Sequence, residues 1–292
     1  MKSNSILLLF IVAFASCSKS DMNIPAEQKI VTVAAMTDLS PGNTASFFNV
    51  DLDKTPIAPV KYGDEQRWQF TDLAIKNTVS FNYLMPLAND SFPSATYMVA
   101  VAENVGGLLT DALHYNEVST TGVAYLGKKI DSVTVAPPGG SITLTGQTIK
   151  LTKKWYSVNF PLQYRDSTTV TGIKEVYNLL VFAPPFYTHA TPGTETNTID
   201  YTNVAVAAGY LELPGYSNAM PAIVVKQKVT NTVNYLINGT PPPDILLNAI
   251  GAQNNEVTES LSYSFYSPFY GYMGSIYMEN NKVAGATFRR NF

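Results

Sequence analysis

The sequence predicts an all-β protein, built either as an antiparallel β-sandwich or as a cupped sheet shaped like half of a barrel, with at most one or two short helices. Of its 292 residues, 46% are apolar and 14% are charged, so the chain can bury a large core. It contains 18 tyrosines and many threonines and valines, which pack well in strands. Short runs of these residues recur between glycines, prolines and asparagines, a pattern typical of strands joined by turns.

The predicted strands begin at residues 30–33, and a Pro-Gly-Asn turn at 41–43 leads into a second strand at 45–50. Further strands are predicted over residues 95–102, 132–135, 141–145, 148–152, 156–160, 176–182 and 204–213. Only residues 244–251 predict a helix, which Asp244 can cap and Gly251 can end.

Two hairpins are predicted from their turns. The sequence Pro-Pro-Gly-Gly at 137–140 separates two strand-like runs. Near the end of the chain, Asn280 and Asn281 separate residues 274–279 from 282–289, and asparagine tolerates the positive φ that a tight hairpin turn requires. Residues 29–292 are expected to form a single β-rich domain. Two β-sandwiches divided near 137–140 are the alternative.

The first sixteen residues predict a signal peptide. One lysine precedes an apolar run at 6–15, which is too short for a bilayer because a spanning helix needs about 20 apolar residues. The run ends in Phe-Ala-Ser before Cys17, the only cysteine, and this resembles the bacterial lipobox. Phe14 departs from the leucine that is most usual there. The resemblance implies cleavage after Ser16 and acylation of Cys17. A signal peptide cut elsewhere, leaving Cys17 unmodified, is the alternative.

Acylation would make the chain a lipid-anchored protein of the cell envelope, because attached acyl chains hold a protein on a membrane. Ser18 after the cysteine is similar to the outer-membrane default of the common sorting rule. The expected location is therefore the bacterial outer membrane, with the body facing either the periplasm or the outside. Residues 17–28 are expected to form a lipidated tether, because they are polar and short of aromatic residues.

Three segments of the body resemble a group of secreted or lipid-anchored β proteins of bacterial envelopes. The first is Trp-Gln-Phe-Thr-Asp-Leu at 68–73, which follows Gly63 and departs from the group pattern at Gln69 and Thr71. The others are 160–164 and 209–215, the latter followed by Val-Lys at 225–226. The group has no assigned activity, so the resemblance implies fold and location and no catalytic residues. Trp68 is expected in the core.

No catalytic residue, metal site or cofactor is predicted. The two histidines, His114 and His189, have Asp111 and Glu195 as their nearest acidic companions in sequence, and neither adjoins a Gly-x-Ser-x-Gly elbow. Both are expected in polar loops. Zinc would need a His-Glu-x-x-His motif or a cysteine pair, and neither is present. Asp51, Asp53 and the Asn-Asp pair at 89–90 could donate oxygens to calcium, but they lack a calcium-loop pattern, and the acids are expected to be solvated turn residues.

The densest aromatic cluster is the candidate binding surface. It lies at 263–277 and comprises Tyr263, Phe265, Tyr266, Phe269, Tyr270, Tyr272 and Tyr277. In a strand, side chains alternate between the two faces, so Tyr263 and Phe265 are expected on one face and Tyr266 on the other. Some of these tyrosines can therefore line a groove. The predicted binding residues are Tyr263, Tyr266, Tyr270, Tyr272 and Trp155.

The chain carries a formal charge of -3 and no concentrated run of lysine and arginine, so a nucleic-acid partner is not expected. The predicted function is non-enzymatic binding of a glycan, lipid or protein partner. The rival is a polysaccharide or peptide hydrolase that uses two carboxylates. Sheet shape discriminates among the ligands, because a cupped sheet encloses a cavity for lipid and a flat sandwich favours glycan or protein.

Overall fold

The computed structural model describes residues 29–88, 90–105, 108–136, 140–249 and 252–291. The predicted signal peptide, Cys17 and the tether lie outside these residues. So do residues 137–139 of the first predicted turn, Asn89, and the last two residues of the predicted helix.

The described chain consists mainly of long strands. In chain order they are β1 (Thr44–Val50), β2 (Gly63–Gln69), β3 (Ile75–Leu84), β4 (Tyr97–Val105), β5 (Leu108–Ser119), β6 (Gly122–Ile130), β7 (Val133–Val135), β8 (Ser141–Leu144), β9 (Gln147–Asn159), β10 (Ser167–Ala183), β11 (Tyr187–Glu212), β12 (Met220–Ile237), β13 (Glu256–Ser267), β14 (Gly271–Glu279) and β15 (Lys282–Arg289). A 3₁₀ turn covers Val33–Ala35, and helix α1 covers Asp244–Ala249. Among the described residues, no helix is long and apolar enough to cross a membrane.

These strands form one large open sheet, and the all-β, cupped prediction is confirmed. The order of neighbours is β7-β8-β10-β11-β12-β13-β14-β15-β1-β3-β4-β5-β6-β9, and all of these pairs are antiparallel. Strand β2 stands outside this order and pairs in parallel with β11. The sheet curls until β9 lies beside β10, where the backbone N–H groups of Lys174 and Asn178 donate to Thr152 Oγ1 and Gln147 Oε1, both at 2.8 Å.

The convex side of β12–β15 is covered by residues 51–73, which include β2. Trp68 from β2 is buried there and packs edge-on against Phe265, with 5.4 Å between ring centroids. Phe48 and Phe288 add to the same cluster. The core position expected for Trp68 is therefore observed. The opposite face of β12–β15 lies on the inside of the cup.

The segment before β1, residues 29–43, packs against one end of the cupped sheet. The strand predicted at 30–33 is wrong: Val31 makes one isolated antiparallel bridge with Leu162, through backbone hydrogen bonds of 3.0 and 2.9 Å, and the chain then turns at Val33–Ala35. Among the described residues, Val31 has a bridge partner and its neighbours have none, so no hydrogen-bonded ladder extends this segment into a strand. Ala35 and Met36 are buried against the cup wall.

Both predicted hairpins are present. Strand β7 pairs with β8, so the chain on either side of 137–140 is joined by hydrogen bonds within the same sheet. Strand β14 pairs with β15 across Asn280 and Asn281, whose φ angles are 50° and 61°. Several strands are longer than predicted; β9, for example, joins two predicted strands, and β11 runs for 26 residues.

Candidate ligand-binding cavity

The cup encloses a cavity of about 610 Å³. It is bounded by strands from opposite walls of the sheet, and the turn before β1 lies at its base. Its lining residues are Met36, Leu39, Phe47, Asn49, Val79, Phe81, Tyr83, Tyr97, Val99, Val101, His114, Asn116, Val123, Ser157, Val158, Gln227, Ser262, Ser264, Tyr266, Tyr272, Ser275, Tyr277 and Thr287.

One wall of this cavity is apolar and aromatic. Strand alternation turns Val79, Phe81 and Tyr83 of β3 inward, and the same alternation on β4 turns Tyr97 and Val99 inward. The Tyr83 and Tyr97 rings meet edge to face with 5.2 Å between centroids. Such aromatic contacts fix the rings in place, so the wall offers a preformed apolar surface.

The opposite wall carries hydroxyl and amide groups. Ser262 and Ser264 of β13 point inward, and the Ser264 and Ser275 hydroxyl oxygens lie 2.8 Å apart. The Tyr272 hydroxyl lies 2.8 Å from the same Ser275 oxygen. Gln227 of β12 also faces the cavity. This wall can therefore hydrogen-bond a ligand without placing a full charge beside it.

Ionisation of the lining tyrosines is suppressed. Burial raises the pKa of Tyr83 to about 12. The nearby charges have smaller effects on this pKa, which Arg289 lowers and Asp38 raises. Burial also raises the pKa of Tyr97 and of Tyr266. These hydroxyls stay neutral at physiological pH. Since the lining contains no Asp, Glu, Lys or Arg, the described cavity suits an uncharged group.

The structure divides the predicted binding residues among four places. Tyr266 and Tyr272 line the cavity. Tyr263 lies on the opposite face of the sheet, buried in the convex cluster, with its hydroxyl 2.8 Å from the Tyr62 hydroxyl. Tyr270 lies beyond the cavity base, edge-on to Tyr216. Trp155 stacks on Tyr201 in a separate cluster. The alternation expected for 263–266 is thus observed.

His114 joins the cavity to a buried ionic network. Its Nε2 lies 2.5 Å from Glu103 Oε1 and donates to that carboxylate. The Nζ of Lys128 donates to both Glu103 oxygens at 3.0 and 2.8 Å and lies 3.4 Å from Glu175 Oε1. Burial acts to raise the pKa of Glu103, but the hydrogen bonds from His114 and Lys128 outweigh it and hold the pKa at about 2. The carboxylate is ionised and anchors the histidine ring.

The loop positions expected for the histidines are wrong. His114 lies within β5, pairs with Glu103 of the neighbouring β4 rather than with Asp111, and lines the cavity. His189 lies within β11 and is exposed. Asp90 is not a solvated turn acid either, because it receives hydrogen bonds from Lys129 and Tyr115. For His114 and Asp90, a partner distant in sequence determines the position.

Most of the residues that line the cavity were not predicted from the sequence. For the aromatic wall a signal was present, since Val79, Phe81 and Tyr83 alternate with polar residues as a strand with one buried face does. For the polar wall there was none, because serines such as Ser262 and Ser264 occur equally on solvated faces. Among the described residues, no three His, Cys, Asp or Glu side chains are grouped to hold a metal ion.

Comparison of the chain with protein-family models, with curated proteins and with solved structures finds no match. The geometry of the cavity is therefore the basis for assigning a ligand.

Proposed function

We propose that this protein is a membrane-anchored envelope lipoprotein that binds the hydrocarbon part of an uncharged amphipathic ligand inside the cupped sheet. The observation that carries the proposal is the cavity of about 610 Å³, with an aromatic wall facing a hydroxyl and amide wall. Ligand sites of this kind occupy roughly 300 to 1,000 Å³ and combine apolar surface with a few polar groups. Of the three partner classes the sequence left open, a lipid fits this shape best.

The energetics favour a hydrocarbon chain. Transfer of a methylene group from water into an apolar site is favourable by about 0.8 kcal/mol. The inward side chains Phe47, Phe81 and Val99 provide such a site, and it is preformed because they sit on paired strands. The hydroxyl groups of Ser262 and Ser264 then suit the more polar end of the molecule.

Binding without catalysis is supported by the position of the carboxylates. Glu103 and Glu175 both contact Lys128, and neither is among the residues that line the cavity. A hydrolase of the rival class would need two carboxylates flanking its substrate. The described cavity thus supports a carrier or receptor of lipid more strongly than a hydrolase.

The ligand can be tested with N-phenylnaphthylamine, an uncharged fluorophore that brightens in apolar sites. The full chain with Cys17→Ser is used, so that no acyl chain is attached. Val79→Trp should fill the cavity, because Val79 lines it and is partly exposed. Thr78→Trp is the matched control on the outer face of β3. We expect binding to fall about tenfold in the first variant only. Equal binding by the two variants and the parent would refute the cavity as the site.

Anchoring is tested separately by mass spectrometry of the membrane fraction. The proposal expects a mature N-terminus at Cys17 with acyl chains attached, and release of the Cys17→Ser chain into the soluble fraction. An unmodified Cys17, or a different mature N-terminus, would remove the anchor from the proposed function while leaving the cavity binding test unaffected.

A further inference from the structure

A notch opens in the cup wall where β1 and β15 separate. Their pairing ends at Asn49 and Thr287, although β15 extends back to Lys282. Within the described chain, residues 282–286 therefore have a strand neighbour in β14 and none on the β1 side. A second cavity of about 610 Å³ fills this space. Unpaired backbone N–H and C=O groups along such an edge are available to a ligand.

The notch adjoins the main cavity. Asn49, Tyr277 and Thr287 line both. Tyr277 is 47% exposed, so its ring presents a flat surface at the junction. A ligand that places its hydrocarbon part between the two cup walls can therefore extend into the notch past this ring.

The chemistry of the notch differs from that of the main cavity. Asn49 Nδ2 donates to Asn77 Oδ1 at 2.7 Å, and Thr287 Oγ1 donates to Asn49 Oδ1 at 2.6 Å, which fixes a row of amide and hydroxyl groups. Asp51, Asp53 and Lys76 complete the polar lining. Asp51 is already bound by Lys54, with 2.9 Å between Nζ and Oδ2. The lining thus offers many acceptors and donors, and its two aspartates are matched by Lys76 and Lys54, so it has no excess positive charge to attract an anionic group.

We propose that the notch binds a neutral sugar, so that the complete ligand is a glycolipid with its tail in the main cavity. A sugar has an apolar face that can stack on Tyr277 and hydroxyls that can bond to Asp53, Asn77 and the open edge of β15. Phosphate or carboxylate head groups would find no unpaired cation in the described lining to bind them, because Lys54 is engaged by Asp51 and Lys76 shares the lining with Asp53. This inference rests on the proposed function for the tail and adds the class of the head group.

The test compares a sugar, a glycol ether and a zwitterionic phosphocholine head group on one tail. The measurement is displacement of N-phenylnaphthylamine from the full Cys17→Ser chain. The competitors are dodecyl maltoside, octaethylene glycol monododecyl ether and dodecylphosphocholine, each below its critical micelle concentration. Free maltose is the control without a tail. We expect dodecyl maltoside to bind about tenfold more tightly than the other two, and maltose alone to bind weakly. Equal affinities of the three dodecyl compounds overturn the sugar assignment. No displacement by any of them overturns the proposed function itself.

Variants then locate the head group. Asp53→Ala should weaken dodecyl maltoside about fivefold and leave the glycol ether unchanged, because only the sugar reaches the carboxylate. Asp131→Ala, an exposed aspartate at the end of β6 that lines neither cavity, is the matched control. An equal loss for both dodecyl compounds, or no loss for either, would contradict a sugar in the notch.

Discussion

Lys128 and Glu103 form an ion pair inside the cup, with the ammonium nitrogen hydrogen-bonded to both carboxylate oxygens and the lysine side chain only 8% exposed. The Lys128 nitrogen also lies 5.2 Å from the centre of the Tyr177 ring. Glu175 approaches from β10, so this one cation links strands from two walls of the cup. The pair therefore helps to hold the shape that creates the cavity.

Replacing the cation should destabilise the fold strongly. Lys128→Met leaves the largely buried carboxylates of Glu103 and Glu175 without the cation that they share. Removing one partner of a buried ion pair costs about 3 kcal/mol. Urea unfolding should show this loss. Lys228→Met is the control, because the Lys228–Glu259 pair is exposed and worth less than about 1 kcal/mol. Similar losses in the two variants would mean that the internal pair is no more important than a surface one.

Acid should weaken the same network. The pKa of Glu103 is held at about 2 in the fold, below its ordinary value of 4.5, so its stabilising effect is complete above pH 4.5 and is lost as the pH falls toward 2. Glu103→Gln should be less stable than the parent at pH 7, and the difference should shrink between pH 4.5 and 2. Melting temperatures across this range measure it. A constant difference would show that the charge is not responsible.

Glu195 should have the opposite effect. Burial raises its pKa, which the hydrogen bonds from Asn197 and Tyr235 only partly offset. A carboxyl with a raised pKa destabilises the fold as the pH rises above its ordinary value of 4.5, because the unfolded chain loses the proton first. Glu195→Gln should therefore be more stable than the parent at pH 7 and similar to it at pH 4. At pH 7 this variant should be more stable than the parent, whereas Glu103→Gln should be less stable. Each variant therefore serves as the control for a general effect of replacing Glu with Gln.

The sequence predicted fold class well because strand composition and turn chemistry are local. Asn280 and Asn281 specify their hairpin directly, since both adopt positive φ. The sequence left a cupped sheet and a β-sandwich as alternatives, because the choice depends on how β9 and β10 meet through side chains such as Gln147 and Thr152. These contacts join residues that the sequence places in separate, unrelated strands.

The candidate site was predictable only in part. Alternation placed Tyr266 on the face opposite Tyr263, which the structure shows, but it could not reveal that Tyr272 and Tyr277 would return to the same face as Tyr266. A bulge in β14 shifts its register with β13. Phe265 pairs with Gly274 and Tyr266 with Tyr272, which leaves Met273 as the extra residue of β14. One extra residue reverses which side chains point inward, and such shifts leave no signal in composition.

Strand β2 approaches β11 so closely that position 209 has no room for a side chain. Gly209 lies against β2, and a Cβ atom at this position would stand 1.9 Å from the Gln66 carbonyl oxygen. The Gln66 atoms nearest to this Cβ are backbone atoms, which cannot rotate away as a side chain can. Gly209→Ala should therefore force the strands apart, uncover Trp68 and destabilise the fold by about 3 kcal/mol, as overpacking does. Gly285→Ala is the control, because its Cβ would meet only the Tyr277 ring, at an ordinary 3.6 Å. Tryptophan fluorescence during urea unfolding reports both variants. If Gly209→Ala is as stable as Gly285→Ala, β2 does not pack as closely on β11 as its pairing indicates.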